Sequence, residues 1–191
     1  DSMPAPMSGT QASLYQQLRG HLATLKLTDA AEHLPSVLAQ AEAEQWSMTA
    51  TLEHLLAREV EATEARKLAG RLRFASLPTP ATLADFDYDA APGIERKLID
   101  ELATCRYLES ATNVLLIGPP GVGKTHLAVG LARTAAEAGY RTYFTTAADL
   151  AARCHRAAIE GRWSTTMRLF AGPTLLVIDE LGYLPLPGEA A

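Results

Sequence analysis

One stretch decides the fold of this chain: Gly118-Pro119-Pro120-Gly121-Val122-Gly123-Lys124-Thr125. It has the spacing Gly-x-x-x-x-Gly-Lys-Ser/Thr of a loop that binds nucleotide phosphates. The apolar run 113–117 before it predicts a strand, and the amphipathic run after it predicts a helix that ends at Gly139. A strand, a glycine-rich turn and a helix, in that order, are the context in which this spacing indicates phosphate binding.

Each residue type in this loop suits the binding of ATP. Gly121 and Gly123 allow a tight turn that brings backbone N–H groups against the phosphates, and the following helix N-terminus adds positive potential. Lys124 supplies a charge for the β- and γ-phosphates, and Thr125 offers a hydroxyl to Mg²⁺. His126, next in the chain, could touch the nucleotide or could merely pack. We expect the other loop residues to line the nucleotide: Gly118, Pro119, Pro120 and Val122.

A second apolar run, 174–178, ends in Asp179 and Glu180. Open parallel sheets bind ligands at the carboxyl ends of their strands, so these acids are expected beside the phosphates. Asp179 would hold Mg²⁺ together with Thr125, and Glu180 would orient and deprotonate the attacking water. The predicted cofactors are ATP and Mg²⁺, and the predicted catalytic residues are Lys124 and Glu180. Alone, such a strand end could simply carry solvated acids.

The rest of the chain predicts an α/β fold of the P-loop NTPase type, with a parallel sheet flanked by helices and a small all-helical N-terminal module. Strands are expected over 142–146 and 174–178, and helices over 94–108 and 147–160, the last capped by Thr146. Thr28 and Asp29 could cap an earlier helix. The predicted segments are a disordered leader 1–11, the helical module 12–75, a linker 76–93 and the ATPase core 94–191.

Composition favours a cytoplasmic globular protein. The 191 residues carry a net charge of −5, with 48% hydrophobic and 20% charged residues. No apolar run reaches the ~20 residues of a membrane span, and residues 1–11 lack the features of a signal peptide. Cys105 and Cys154 have no metal-binding spacing, and each is expected to be a small apolar residue on a helix. The chain lacks an initial Met and stops in a loop-like stretch, 185–191, so we expect a piece of a longer chain.

Two stretches carry a family resemblance: 118–128, and the more specific string DELGYLPL at 179–186. Both resemble the IstB-like ATP-binding helper proteins of insertion-sequence transposition. These are relatives of the helicase loader DnaC and the initiator DnaA among the AAA+ ATPases. Residues 74–88, 94–107 and 145–162 agree with this resemblance, which covers roughly residues 14–186.

The resemblance implies a regulator that binds and hydrolyses ATP, assembles as a homo-oligomer on double-stranded DNA, and assists a transposase. It also implies that the linker 76–93 lies near the adenine and that the helical module packs against neighbours or partners. AAA+ proteins carry a sensor residue, an arginine finger and a helical lid after the Asp-Glu strand. The core is therefore expected to be C-terminally incomplete at Ala191, and hydrolysis by this chain to be weak.

Two sets of basic residues are candidates for DNA contact through phosphates. One lies at the end of the third predicted helix, and the other on the predicted helices that follow the strand 142–146. From the second set we predict contacts by Arg153, Arg156 and Arg162. Ordinary solvated helix surface is the alternative for both sets. The sets are Arg66, Lys67, Arg71 and Arg73, and Arg153, Arg156, Arg162 and Arg168.

Three other functions compete with a transposition ATPase. A DnaC-like helicase loader would use the same chemistry with another partner, although loaders usually differ from residues 182–186. A small-molecule kinase would need an acceptor pocket, whereas Glu180 suits water activation and thus hydrolysis. A nucleotide-dependent binding module would not turn ATP over. The transposase, the DNA target and the oligomer size are not encoded in any motif.

Overall fold

The computed structural model describes residues 9–183. Most of the predicted leader 1–11 and the end of the string 179–186 therefore lie outside the described residues, as does the whole stretch 185–191. The chain divides into two units, one up to Lys67 and one from Leu68 onward. This division falls inside the third helix, eight residues before the predicted end of the helical module at 75.

The first unit, as far as it is described, is built from helices α1 (Gly9–Thr24), α2 (Thr28–Ala43) and the first part of α3 (Met48–Ala75). Helix α1 begins three residues before the predicted boundary at 12, so residues 9–11 are helical and not part of a disordered leader. The core of this unit joins all three helices through Leu22, Ala30, Leu34, Val37 and Leu55.

A glutamate from α3 caps helix α2. Glu59 is only 5% exposed and accepts a hydrogen bond of 2.9 Å from the Ala30 N–H. It also accepts a hydrogen bond of 3.0 Å from Arg66, which pairs with Asp29 as well. The predicted caps Thr28 and Asp29 lie within the helix itself, and no side chain at its N-cap position makes a capping bond. The cap comes from a residue distant in sequence, which local patterns cannot reveal.

The second unit contains the end of α3 and the alternating elements that follow. A strand pair lies among helices, and a short 3₁₀ turn at Leu181–Tyr183 follows the second strand. The elements are α4 (Arg96–Ala103), α5 (Arg106–Glu109), α6 (Lys124–Glu137), β1 (Thr142–Thr146), α7 (Ala147–Ile159), α8 (Trp163–Ala171) and β2 (Leu175–Asp179).

Strands β1 and β2 pair in parallel, as predicted, with Thr142 opposite Leu175 and Thr146 opposite Asp179. The β-branched and aromatic residues of β1 suit a strand, and residues 142–145 are buried. Thr146 ends the strand and accepts a hydrogen bond of 3.1 Å from the Asp149 N–H, so the predicted cap of α7 is confirmed. This pairing sets the carboxyl end of β2 beside that of β1.

The predicted strand 113–117 is wrong for this structure. The sheet formed by the described residues has two strands, and the segment 113–117 belongs to neither. Its side chains are largely in solvent, with Leu115 71% exposed and Ile117 85% exposed. A strand exists only when its backbone groups pair with a neighbour. No described strand lies along this segment, so its apolar residues with high β-propensity do not form a strand.

The predicted helix 94–108 is also interrupted. It forms α4 and α5, separated at Cys105, which has a left-handed backbone with φ of 61°. The turn buries the Cys105 side chain, and this burial raises the pKa of its thiol. Cys105 is therefore buried as expected but lies between helices, whereas Cys154 does lie on α7. Helices long and apolar enough to cross a membrane are not found among residues 9–183.

The segment 76–93 packs as part of the second unit rather than as a free extended linker. It runs as a series of turns, and its residues Phe86 and Ala91 share a buried cluster with Ile99 and Leu127 of the neighbouring helices. Leu83 packs so closely on α6 that a Cβ at Gly130 would lie 2.7 Å from it. The linker is thus fixed to the helix that follows the glycine-rich loop.

Candidate functional site

The glycine-rich loop 118–125 has the backbone conformation that its glycines predict. Gly121 and Gly123 have φ angles of 83° and 90°, in the left-handed region where a side chain is strained. Gly123 has a second constraint, because a Cβ there would lie 2.6 Å from the ring of Phe86. The loop therefore depends on glycine at position 123 for both conformation and space.

Helix α6 begins directly at this loop, with Gly123 at its N-cap position. No side chain caps this helix, and Leu127 is the first residue whose N–H bonds back into it, at 3.0 Å to the Gly123 carbonyl. The N–H groups of its first turn therefore have no intrahelical acceptor. Together with the helix dipole, they favour an anion at this point.

Lys124 is held against the loop by two carbonyl oxygens. Its Nζ donates hydrogen bonds of 2.8 Å to Gly118 and 2.7 Å to Pro119. An ammonium group has three donors, and these carbonyls carry no formal charge. Phosphate oxygens would be stronger acceptors for the same group, because hydrogen bonds between charged partners are stronger than those to neutral ones.

Thr125 and Asp179 meet across 54 residues of sequence. The Thr125 hydroxyl donates a hydrogen bond of 2.7 Å to Asp179 Oδ2, and Asp179 Oδ1 accepts the Glu180 N–H at 2.9 Å. The first turn of α6 and the end of β2 are thereby joined. Both side chains present oxygen, which is the ligand type that Mg²⁺ prefers.

Glu180 lies just beyond β2, with its backbone in the left-handed region at φ 57°. Its side chain is exposed and makes no hydrogen bond or ion pair within residues 9–183. Backbone strain of this kind in a residue other than glycine often accompanies a functional site. The carboxylate is thus available to a water molecule or ligand beside Asp179.

His126 is placed against the linker. Its Nε2 lies 2.8 Å from the Thr82 carbonyl, and because a carbonyl only accepts, this nitrogen carries the proton. The ring also packs edge-on against Phe86, with ring centres 5.4 Å apart. In this structure His126 therefore packs against the linker, and its contact with a nucleotide stays a prediction.

One open cleft of about 1420 Å³ is lined by most of the predicted phosphate residues and by both predicted magnesium residues, whereas Pro119, Val122 and His126 do not line it. Gly118, Lys124, Thr125, Asp179 and Glu180 all line it. Tyr107 lines the same cleft and was not anticipated from the sequence; burial raises the pKa of Tyr107 to about 12, so it stays protonated at neutral pH. Phe86, which supports Gly123, was also missed. Its only sequence signal is that it is an aromatic residue between two aspartates of the linker.

The three arginines predicted to contact DNA lie around one small pocket. Arg153, Arg156 and Arg162 line a space of about 220 Å³ between the end of α7 and the start of α8. Arg162 pairs with Glu160 at 3.5 Å, whereas Arg153 and Arg156 form no salt bridge within the described residues. We call these three arginines the basic surface. Two of its charges are free to bind an anion.

The earlier basic set is mostly used within the fold. Arg66 pairs with Asp29 and Glu59, and its hydrogen bond lowers the pKa of the Asp29 carboxyl. Lys67 pairs with Glu64 at 2.8 Å, and Arg71 donates a hydrogen bond of 2.7 Å to the Ala136 carbonyl. These contacts favour a structural role over a DNA-binding one, and leave the basic surface as the stronger candidate.

Comparison with known proteins gives similarity along most of the chain. A protein-family profile described as "IstB-like ATP binding protein" matches residues 20–191. Three similar proteins are named as ATP-binding proteins of insertion sequences. An IS5376 protein from Geobacillus stearothermophilus is 37% identical over 167 residues, or 87% of this chain and 66% of its own length.

An IS21 protein from Pseudomonas aeruginosa is 38% identical, covering 89% of this chain and 64% of its own. An IS232 protein from Bacillus thuringiensis subsp. berliner is 34% identical, covering 93% and 71%. The chain thus spans about two-thirds of the length of these relatives. Because the family profile covers nearly all of the chain and these relatives match it along most of its length, the chain belongs to the IstB-like family of ATP-binding proteins.

Proposed function

We propose that this protein binds ATP with Mg²⁺ in the loop 118–125 and hydrolyses it to support the transposition of an insertion sequence. The observation that carries the proposal is the 2.7 Å contact between Thr125 and Asp179. A hydroxyl and a carboxylate at this distance can both be ligands of one small cation at the end of the phosphate loop. Phosphate oxygens and water would complete its coordination.

Lys124 would exchange its two carbonyl partners for the β- and γ-phosphates. The exchange needs little rearrangement, because the ammonium group already lies over the loop. The free N–H groups at the start of α6 would bind the same phosphates. The loop residues Gly118, Pro119, Pro120 and Val122 would line the nucleotide, with the linker 76–93 near its base.

Glu180 would activate water for hydrolysis. A general base must reach the water that it deprotonates, and the exposed carboxylate of Glu180, one residue after Asp179, would be free to do so. Asp179 would stay with the metal ion. These two roles require one acid bound to the metal ion and one that is free. Asp179 accepts the hydrogen bond from Thr125, whereas the Glu180 side chain forms none within the described residues, which supports this assignment.

The basic surface would bind the phosphates of double-stranded DNA. The segment 147–171, which comprises α7, α8 and the turn between them, carries four arginines and two acidic residues, while the whole chain has a net charge of −5. A local positive surface on an acidic protein is the pattern expected for binding to DNA phosphates. The insertion-sequence names of the relatives support a transposase as partner, in preference to a replicative helicase. Assembly as an oligomer of AAA+ subunits on DNA completes the proposal.

The test measures duplex DNA binding and particle mass together, in a protein of the relatives' full length. We expect Mg²⁺ and ATP to increase duplex binding and to raise the mass above that of a monomer. A Lys124→Ala variant serves as the matched control and should show neither change. DNA binding and mass that are the same with and without ATP would contradict the proposed regulation.

A further inference from the structure

We propose that Ile159 and Trp163 form an apolar contact with the bases of duplex DNA whose phosphates are bound by the basic surface. The inference rests on the proposed DNA binding and adds the residues that would reach past the backbone. Ile159 ends α7 and Trp163 begins α8. We call these two residues the apolar ridge.

Exposure is the first observation behind the proposal. Ile159 is 73% exposed and Trp163 is 51% exposed, whereas the described hydrophobic clusters lie elsewhere in the chain. Tryptophan is usually well covered in folded proteins, since exposing it forfeits a large hydrophobic contribution. Two large apolar side chains therefore lie in solvent within five residues of each other, where a partner could cover them.

The second observation is the position of the apolar ridge next to the basic surface in the sequence. The turn between the two ridge residues contains Glu160 and Arg162, which both line the arginine pocket, together with Gly161 at φ 68°. Thr166, one helical turn after Trp163, lines it as well. The apolar ridge thus borders the basic surface along the chain. Ile159 is adjacent in sequence to Glu160, and Trp163 to Arg162, so a partner as large as a duplex that binds at the pocket would lie close to both ridge residues.

The positive charge of the basic surface indicates that the partner is duplex DNA. Arg153 and Arg156 have no acidic partner among residues 9–183, so both charges are available to an anion, and the phosphates of a duplex supply a regular array of anions. Phosphate contacts position a protein on a duplex, while apolar side chains reach the bases and insert between base steps in the minor groove. Arginines beside an isoleucine and a tryptophan supply both kinds of contact.

Intrinsic fluorescence tests the contact directly, because the chain has two tryptophans, Trp46 and Trp163. In a Trp46→Phe variant, Trp163 is the sole emitter. We expect its emission to be quenched as a short duplex is added, in step with binding measured independently by anisotropy of the labelled duplex. Trp163→Phe, which leaves Trp46 as the emitter in the first unit, is the matched control and should show no quenching.

The affinity of Trp163 variants for duplex DNA, and its dependence on salt, provide a second test of the contact. Trp163→Ala should weaken duplex binding roughly tenfold, as expected for the loss of a stacked aromatic side chain. The dependence of affinity on salt should stay unchanged, because that slope counts phosphate contacts. Trp163→Phe should retain most of the affinity, since a ring remains.

Three results would overturn the inference. The first is duplex binding with unchanged Trp163 emission and full affinity in Trp163→Ala, which would leave the phosphate contacts of the proposed function intact and remove the apolar one. The second is quenching of Trp163 by the transposase but not by duplex DNA, which would make the ridge a protein-docking surface. The third is no duplex binding by the parent protein, which would refute the DNA-binding proposal itself.

Discussion

The phosphate loop and the basic surface differ in how their charged groups are held. At the loop, Lys124 is bonded to two carbonyls and Thr125 to Asp179, so the side chains of these two residues are satisfied within the protein. On the basic surface, Arg153 and Arg156 lack such partners within the described residues. A ligand at the loop replaces existing hydrogen bonds, whereas a ligand on the surface neutralises free charges.

This difference predicts different responses to the environment. Binding at the loop depends on geometry, so single substitutions should have large effects there and salt a small one. Binding on the surface depends on the number of charges, so each arginine should contribute similarly and salt should weaken binding steeply. Mutations on the basic surface should therefore leave ATP affinity unchanged, and mutations at the loop should leave the salt dependence of DNA binding unchanged.

The largest effect is expected for Glu180→Gln in a protein of the relatives' full length. Removing the carboxylate should lower ATP turnover on the order of a hundredfold or more, because glutamine cannot accept the proton of the attacking water. ATP affinity and the salt dependence of DNA binding should stay close to those of the parent. The measurement is the steady-state rate of phosphate release at saturating ATP.

Asp179→Asn provides the contrast at the neighbouring position. It should weaken nucleotide binding in Mg²⁺ more than in EDTA, because it removes a charged ligand of the metal ion. If Glu180→Gln hydrolyses ATP at the parent rate, another residue activates the water and the roles proposed for the two acids are wrong.

An intermediate effect is expected when Arg153, Arg156 and Arg162 are all replaced by alanine. Each lost phosphate contact should reduce the slope of log affinity against log salt by about 0.9, so the triple variant should lose roughly 2.7 units of slope. Duplex binding measured across a salt series checks this. ATP affinity should not change.

The matched control for that triple variant replaces three exposed basic residues that lie elsewhere: Arg19, Arg58 and Lys97. It alters net charge equally and should leave the slope near the parent value. Equal losses in both triple variants would mean that only overall charge matters, and the distinction between the basic surface and the rest of the protein would fail.

The smallest effect is expected for Gly123→Ala and concerns stability. Alanine at φ 90° and 2.6 Å from the Phe86 ring should lower the free energy of unfolding by about 1–2 kcal/mol from conformational strain, with any unrelieved clash adding to it. Urea unfolding measures the change. Gly70→Ala on α3, where a Cβ meets nothing within 4 Å, should instead stabilise the protein by about 0.5–1 kcal/mol. A neutral Gly123→Ala would show that the loop is not held by Phe86.

The sequence predicts those parts of the fold that local chemistry determines. Strand β1 has the predicted bounds, and Thr146 caps α7, because β-branched residues and a hydroxyl at an N-cap act locally. The meeting of Thr125 and Asp179 agrees with the prediction that the acids at the end of β2 lie beside the phosphate loop, although the segment 113–117 before that loop is not a strand here.

Other features depend on contacts between distant residues, and sequence patterns do not contain them. The run 113–117 has the composition of a strand but lacks a described partner. Arg66 and Arg153 are indistinguishable by pattern, yet only Arg66 meets a buried carboxylate, Glu59. The packing of Phe86 on Gly123 is likewise a tertiary contact.

The central claim is that the loop 118–125 is the ATP site and that Lys124 is its main phosphate anchor. Calorimetric titration of the parent and of Lys124→Ala with ATP and Mg²⁺ tests it most directly. We expect the parent to bind and the variant to lose about 1.5–3 kcal/mol of binding free energy, since a hydrogen bond to a charged group is lost. Equal affinities for ATP in the two proteins would contradict the claim.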